Sequence, residues 1–124
     1  MDKFETVLFC LMETVTIYHN PRCTKSRQTL ALLRDNNIEP KIVEYLKNPP
    51  NERTIADVVK KLGIPAAQLV REKEYAQLNL PETDDEAELI ARMAAHPQII
   101  QRPIVVRGSN ARIGRPPEEV LEIL

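Results

Sequence analysis

The chain has 124 residues, the length of one ordinary domain, and 43% are hydrophobic, enough to build a core and exclude a disordered chain. Seventeen Lys and Arg against eighteen Asp and Glu leave a net charge of −1, which lacks the pull of a general nucleic-acid binder or polybasic membrane protein. Two cysteines exclude a multi-bridge secreted scaffold, and ten prolines against three glycines imply stiff loops; a small cytoplasmic domain is expected, with no nucleic-acid and no membrane partner.

The early apolar run Val7–Met12 is far short of the ~20 residues that span a bilayer. Asp2 and Glu5 flank it, and no small-residue cleavage site follows, so it makes a poor signal peptide. Residues 1–13 therefore read as an N-terminal extension, either packed on the domain or lying upstream of a true start at Met12. Residues 14–124 read as a single domain.

Val15–Tyr18 has the β-branched and aromatic character of a strand, ended by His19-Asn20-Pro21. Thr24–Asn36 reads as a helix, with Leu30, Leu33 and Ala31 inward and Lys25, Arg27 and Arg34 outward. Ile42–Leu46 is a second strand, parallel to the first through a right-handed crossover. After Asn48-Pro49-Pro50-Asn51, Glu52–Leu62 places Ile55, Val58, Val59 and Leu62 on one helical face, and Gly63 follows as its terminator. Pro65–Val70 is a short helical piece, and Arg71–Pro81 is polar and irregular. Thr83 with Glu86 forms a capping-box pattern opening a helix that runs to Ala95 and closes at His96-Pro97. Pro103–Arg107 is a third strand, turned by Gly108-Ser109-Asn110 into Ala111–Ile113 as a hairpin. Pro116-Pro117 opens a last amphipathic helix with Val120, Leu121 and Leu124 inward.

The order β-α-β, helical middle, β-β-α defines an α/β fold class. Without the helical insertion at about residues 52–96, it is the mixed sheet of the thioredoxin/glutaredoxin-like fold.

Cys23 follows the first strand and begins the first helix, where free amide hydrogens and the helix dipole stabilise a thiolate. The alternative is a buried inert thiol, the reading that fits Cys10 inside its apolar run. Ser26 stands three residues on, so no local second thiol resolves an intermediate, and a dithiol C-x-x-C oxidoreductase is disfavoured. The helix start, with Arg27 near it, is also suited to an anion, and Ser26 could donate to the thiolate or the anion or simply belong to the first turn. His19 could lower the thiol pKa as an imidazolium or hold the loop through hydrogen bonds. His96 reads as structural, and two separated histidines with one suitable cysteine do not make a metal site. Arg71, Arg102 and Arg115 stand at element boundaries. Each alone is an ordinary surface charge; together, guanidinium forks suit a tetrahedral oxyanion. A cis Arg102–Pro103 bond facing the cysteine is expected by fold analogy.

Tyr18-His19-Asn20-Pro21-Arg22-Cys23 with Ser26-Arg27, Tyr45-Leu46-Lys47-Asn48-Pro49-Pro50, and Arg102-Pro103-Ile104-Val105-Val106 resemble the glutaredoxin-coupled arsenate reductase family. The resemblance continues through Leu69-Val70-Arg71, His96-Pro97 and Arg115-Pro116, and so covers Val15 to Leu124. It implies an oxidoreductase with Cys23 as the nucleophile, Arg71, Arg102 and Arg115 binding arsenate, and His19 and Ser26 supporting the thiolate. It also implies glutathione as co-substrate, glutaredoxin as partner, and no bound metal or organic cofactor. The chain lacks the further C-terminal residues of longer members and matches the compact, chromosomal type. Gly114 stands where some members carry Cys, a difference expected to touch neither thiol nor anion site.

Two other readings share the scaffold. One is a thiol-dependent reductase of another substrate. The other is a Spx-type regulator that binds RNA polymerase; these resemble the chain at Arg-Pro-Ile but commonly carry C-x-x-C and lack the arginine present here as Arg115.

Overall fold

A computed structural model describes residues 14–124. The Val7–Met12 run, Cys10 and the alternative start at Met12 lie outside the described residues. Strand β1 (Val15–His19) leads into helix α1 (Thr24–Asp35) and strand β2 (Lys41–Glu44). The helical stretch comprises α2 (Glu52–Leu62), a 3-10 turn (Ala66–Leu69), α3 (Glu72–Ala76), α4 (Glu86–Ala95) and a second 3-10 turn (Pro97–Ile99). Strands β3 (Ile104–Arg107) and β4 (Asn110–Ile113) and a 3-10 helix (Pro117–Ile123) complete the chain.

The sheet order is β2-β1-β3-β4, with β1 parallel to β2 and antiparallel to β3, and β3 antiparallel to β4. This is the expected thioredoxin-like arrangement. Alternation along β1 divides the core between the two faces of the sheet. Val15 and Ile17 pack with Leu33, Val105 and Val120 against α1 and the C-terminal 3-10 helix. On the other side Tyr18 and Ile104 pack with Tyr45, Ile55, Val58, Leu69, Leu89, Met93 and Ile99, burying the inner faces of the insertion.

Local chemistry sets the element ends, in places differently from the sequence pattern. Asn51 caps α2 by accepting from the Thr54 N–H at 2.8 Å, and Gly63 ends that helix in the left-handed region at φ 68°. Helix α4 is capped by Asp85, which accepts from Glu88 N–H at 2.9 Å, whereas Thr83 accepts from Asp85 N–H just outside the helix. The expected Thr83–Glu86 box does not form, because Glu86 is committed elsewhere: both its carboxylate oxygens accept from Ala66 N–H at 2.9 Å. The stretch expected to be irregular contains α3, which follows directly on Arg71 as its N-cap residue. Strand β2 stops at Glu44, and Tyr45 leaves the sheet as a buried residue.

The C-terminal helix is 3-10, not α. With three residues per turn, Pro117, Val120 and Ile123 align toward the core, and Leu121, expected inside, is 42% exposed. On α1 the buried residues are Ser26, Thr29 and Leu33, while Ala31 is exposed and Leu30 half-buried. The small hydroxyl residues sit inward because the chain presses close there. A Cβ at Gly114 would lie 2.5 Å from Thr29 Oγ1 and 2.8 Å from Pro103 Cγ. Gly114 is thus a packing glycine joining α1 to Pro103, the residue after Arg102.

Candidate active site

Cys23 is the N-cap of α1, in extended conformation, and it is half-buried. The turn that presents it is built by Asn20, whose carbonyl accepts from Cys23 N–H and whose Oδ1 accepts from Arg22 N–H, each at 3.0 Å. Arg27 braces the same turn by donating to the Pro21 carbonyl at 2.9 Å and to Thr24 Oγ1 at 3.2 Å, so its guanidinium is a strut rather than part of an anion site.

Sγ closes no cap hydrogen bond of its own, but several donors converge on it. Burial pushes the thiol pKa up; the Ser26 N–H, the Arg102 guanidinium and the Lys25 N–H favour the thiolate and outweigh it, leaving the pKa below the ordinary thiol value. Arg115 approaches from the opposite loop, with Nη2 3.8 Å from Sγ. Its Nε donates to the Arg102 carbonyl at 2.7 Å, tying the two arginine-bearing loops together. Both Arg102–Pro103 and Arg115–Pro116 are cis; the second was not anticipated by the sequence pattern.

The remaining expected residues take distinct positions. The Ser26 side chain does not donate to the thiol: Oγ accepts from Asn20 N–H at 3.0 Å and lies 2.6 Å from His19 Nδ1. Burial, the largest influence, lowers the His19 pKa; Glu44 raises it, and Arg34 and Arg27 lower it further. His19 is therefore a neutral hydrogen-bonding partner rather than an imidazolium beside the thiol. Arg71 makes no hydrogen bond to Cys23. Its Nη2 pairs with Glu74 at 3.2 Å, and its buried Nη1 has no partner. The backbone draws it toward the site, since Arg71 N–H donates to the Ile99 carbonyl at 2.7 Å across a bridge pairing Val70 with Ile100, two residues before Arg102.

Sequence reasoning missed Asn20, read only as a strand breaker, and Glu74, which holds Arg71. The Asn-Pro pair is a recognised turn signal, so Asn20 was legible in principle. Glu74 becomes legible only once α3 places it one turn from Arg71.

Among the described residues, then, a thioredoxin-like sheet presents one thiol at a helix start, opposed by guanidinium groups on two cis-proline loops, an arrangement that can receive an anion. The comparisons place it more narrowly. The ArsC family model matches residues 18–123, and the chain belongs to that family. It is 49% identical over 118 residues to the uncharacterized protein YfgD of Escherichia coli K12, covering 92% of this chain and 99% of that one. It is 48% identical over 115 residues to an arsenate reductase of Haemophilus influenzae, covering 90% and 99% respectively. A solved arsenate reductase from Vibrio cholerae superposes with a TM-score of 0.84 at 45% identity, covering 90% of this chain and 98% of that one.

Proposed function

We propose that this protein reduces arsenate to arsenite, with glutathione and glutaredoxin as the source of electrons. The observation that carries this reading is the convergence of the Ser26 and Lys25 amides, Arg102 and Arg115 on Cys23 Sγ. The same donors that favour a thiolate favour a tetrahedral oxyanion beside it. Arg71 Nη1 supplies a further buried donor with no acceptor of its own. The names of similar proteins support arsenate as the anion.

In this mechanism the Cys23 thiolate forms an S–As bond while an As–O bond breaks, and the departing oxygen takes up protons and leaves as water. Arsenic remains pentavalent. Glutathione displaces a second oxygen, again as water, so that arsenic carries two sulfurs. A glutaredoxin thiolate then attacks the glutathione sulfur. An S–S bond forms, the S–As electron pair stays on arsenic, and arsenic becomes trivalent as two thiols become one disulfide. Hydrolysis of the remaining S–As bond releases arsenite and restores Cys23. Ser26 cannot resolve the adduct as a second thiol would, so the electrons come from outside the chain.

The test is arsenate-dependent NADPH oxidation coupled through glutathione reductase, glutathione and glutaredoxin. Wild type turns over and Cys23→Ser gives no rate above background. A folded wild type with a reactive thiol but no arsenate-dependent signal contradicts the reading, as does a Cys23→Ser variant of normal rate.

A further inference from the structure

Arg71 is held by a group that a purely attractive anion site would leave out. Its Nη2 meets the Glu74 carboxylate at 3.2 Å, in a pair whose side chains are only 20% and 24% exposed. Its other terminal nitrogen, Nη1, is buried and has no partner among the described residues. A carboxylate beside a cation that must bind an anion carries a cost, because it offsets the cation's charge and repels the anion at short range. Arg115, by contrast, is oriented by a neutral acceptor, the Arg102 carbonyl.

The local structure fixes this pair from two sides. At the main chain, Arg71 N–H donates to the Ile99 carbonyl and Gln101 N–H to the Leu69 carbonyl, each at 2.7 Å, around the Val70–Ile100 bridge. Arg71 is also the N-cap of α3, so Glu74 stands three residues on, at the spacing where two side chains of one helical turn meet. Helix α3 has five residues and none is fully buried, yet it is anchored: the Tyr75 hydroxyl donates to the Pro81 carbonyl at 3.0 Å and accepts from Arg92 of α4. Glu74 is therefore presented to Arg71 from a fixed turn.

We propose that Glu74 is a positioning residue for Arg71: by accepting from Nη2 it fixes the plane of the guanidinium and presents Nη1 as a pre-oriented donor to the anion beside Cys23. The proposal rests on the functional reading above only in taking Arg71 as an anion ligand, and it does not depend on the anion being arsenate. A guanidinium already held in one plane loses little freedom when the anion arrives, and that gain outweighs the repulsion from the carboxylate. Glu74 also lies in the acidic first turn of α3, where a carboxylate favours the helix end. That role alone would make its removal neutral or helpful to anion binding, so the two roles predict opposite signs.

The test is protection of Cys23 from alkylation by inorganic phosphate, read as the phosphate concentration that halves the rate. Glu74→Ala removes both the acceptor and the negative charge, and it should need several-fold more phosphate than wild type. Glu74→Gln keeps an acceptor of the same reach without the charge, and it should restore protection to the wild-type level or better. The pair is partly exposed, so both variants keep a Tm within a few degrees of wild type. Without phosphate the alkylation midpoint stays put, since the groups that lower the thiol pKa are the Ser26 and Lys25 amides and Arg102. In an Arg71→Ala background, where protection is already weakened, Glu74→Ala adds nothing. Equal or tighter protection in Glu74→Ala overturns the proposal, as does a loss of the same size without Arg71. If Arg71→Ala alone leaves protection unchanged, the assignment of Arg71 to the anion falls, and the proposal with it. If Arg71→Ala weakens protection and Glu74→Ala does not, the proposal falls alone.

Discussion

At Cys23 the balance between burial and donated hydrogen bonds decides the chemistry. Burial alone would raise the thiol pKa, and the nearby amides and Arg102 outweigh it, so the pKa lies below the ordinary thiol value. Ser26 serves the arrangement at one remove, since its hydroxyl ties His19 to the Asn20 amide while its own N–H faces Sγ. Ser26→Ala leaves a buried Asn20 N–H without its acceptor, so urea unfolding should show a loss of about 1–3 kcal/mol. His19 adds a pH dependence with a definite sign. Its folded pKa lies below the ordinary imidazole value. As pH falls through about 6.5 the unfolded chain binds a proton that the folded chain refuses, so stability present at neutral pH is lost toward acid until the folded imidazole itself protonates. His19→Asn should flatten the stability profile between that value and the lower folded pKa. An unchanged slope would show that burial of this imidazole is not what the acid limb reports.

The elements show which parts of the pattern were readable in the sequence. Strand β1, helix α1, the Asn51–Gly63 limits of α2 and the β3–β4 hairpin follow from alternation, helical period and terminal residues, and their ends lie within about a residue of where those signals put them. What the sequence could not show depends on contacts across the fold. Glu86 leaves its local capping role because Ala66 N–H, 20 residues away, needs an acceptor. Glu86→Gln should therefore lower stability by about 1 kcal/mol or more, seen as a reduced Tm, although an amide at this position is as good a helix former. Gly114 is similar: nothing local marks it, yet Thr29 and Pro103 leave no room for a Cβ. Gly114→Ala should cost roughly 1–3 kcal/mol by overpacking and, by displacing Pro103, also slow the thiol reaction. Normal stability in that variant would mean the α1–Pro103 contact yields freely. The site divides in the same way. Cys23 and the three arginines were legible because each sits beside a turn or an element boundary. The separate tasks of Ser26 and His19 and the Glu74 partner of Arg71 emerge only from three-dimensional contact.

Across the whole molecule, the two faces of the sheet divide the labour. The face packed by α1 and the C-terminal 3-10 helix fixes the helix start that carries the thiol. The face packed by the insertion brings Arg71 beside the segment leading to Arg102, through the Val70–Ile100 bridge. The insertion thus couples a distant arginine to a compact thioredoxin-like frame, and its removal would take part of the proposed anion site with it. Phosphate, with arsenate's shape but no readily reduced thiol adduct, reports on that site without chemistry. The most direct measurement is the rate of Cys23 alkylation against pH, with and without phosphate, on the wild-type chain. The account predicts a midpoint below the ordinary thiol value of about 8.5, with phosphate protecting the thiol in a saturable way. A midpoint at or above that value, with no protection at high phosphate, would contradict the claim that Cys23 is a thiolate held within an anion site.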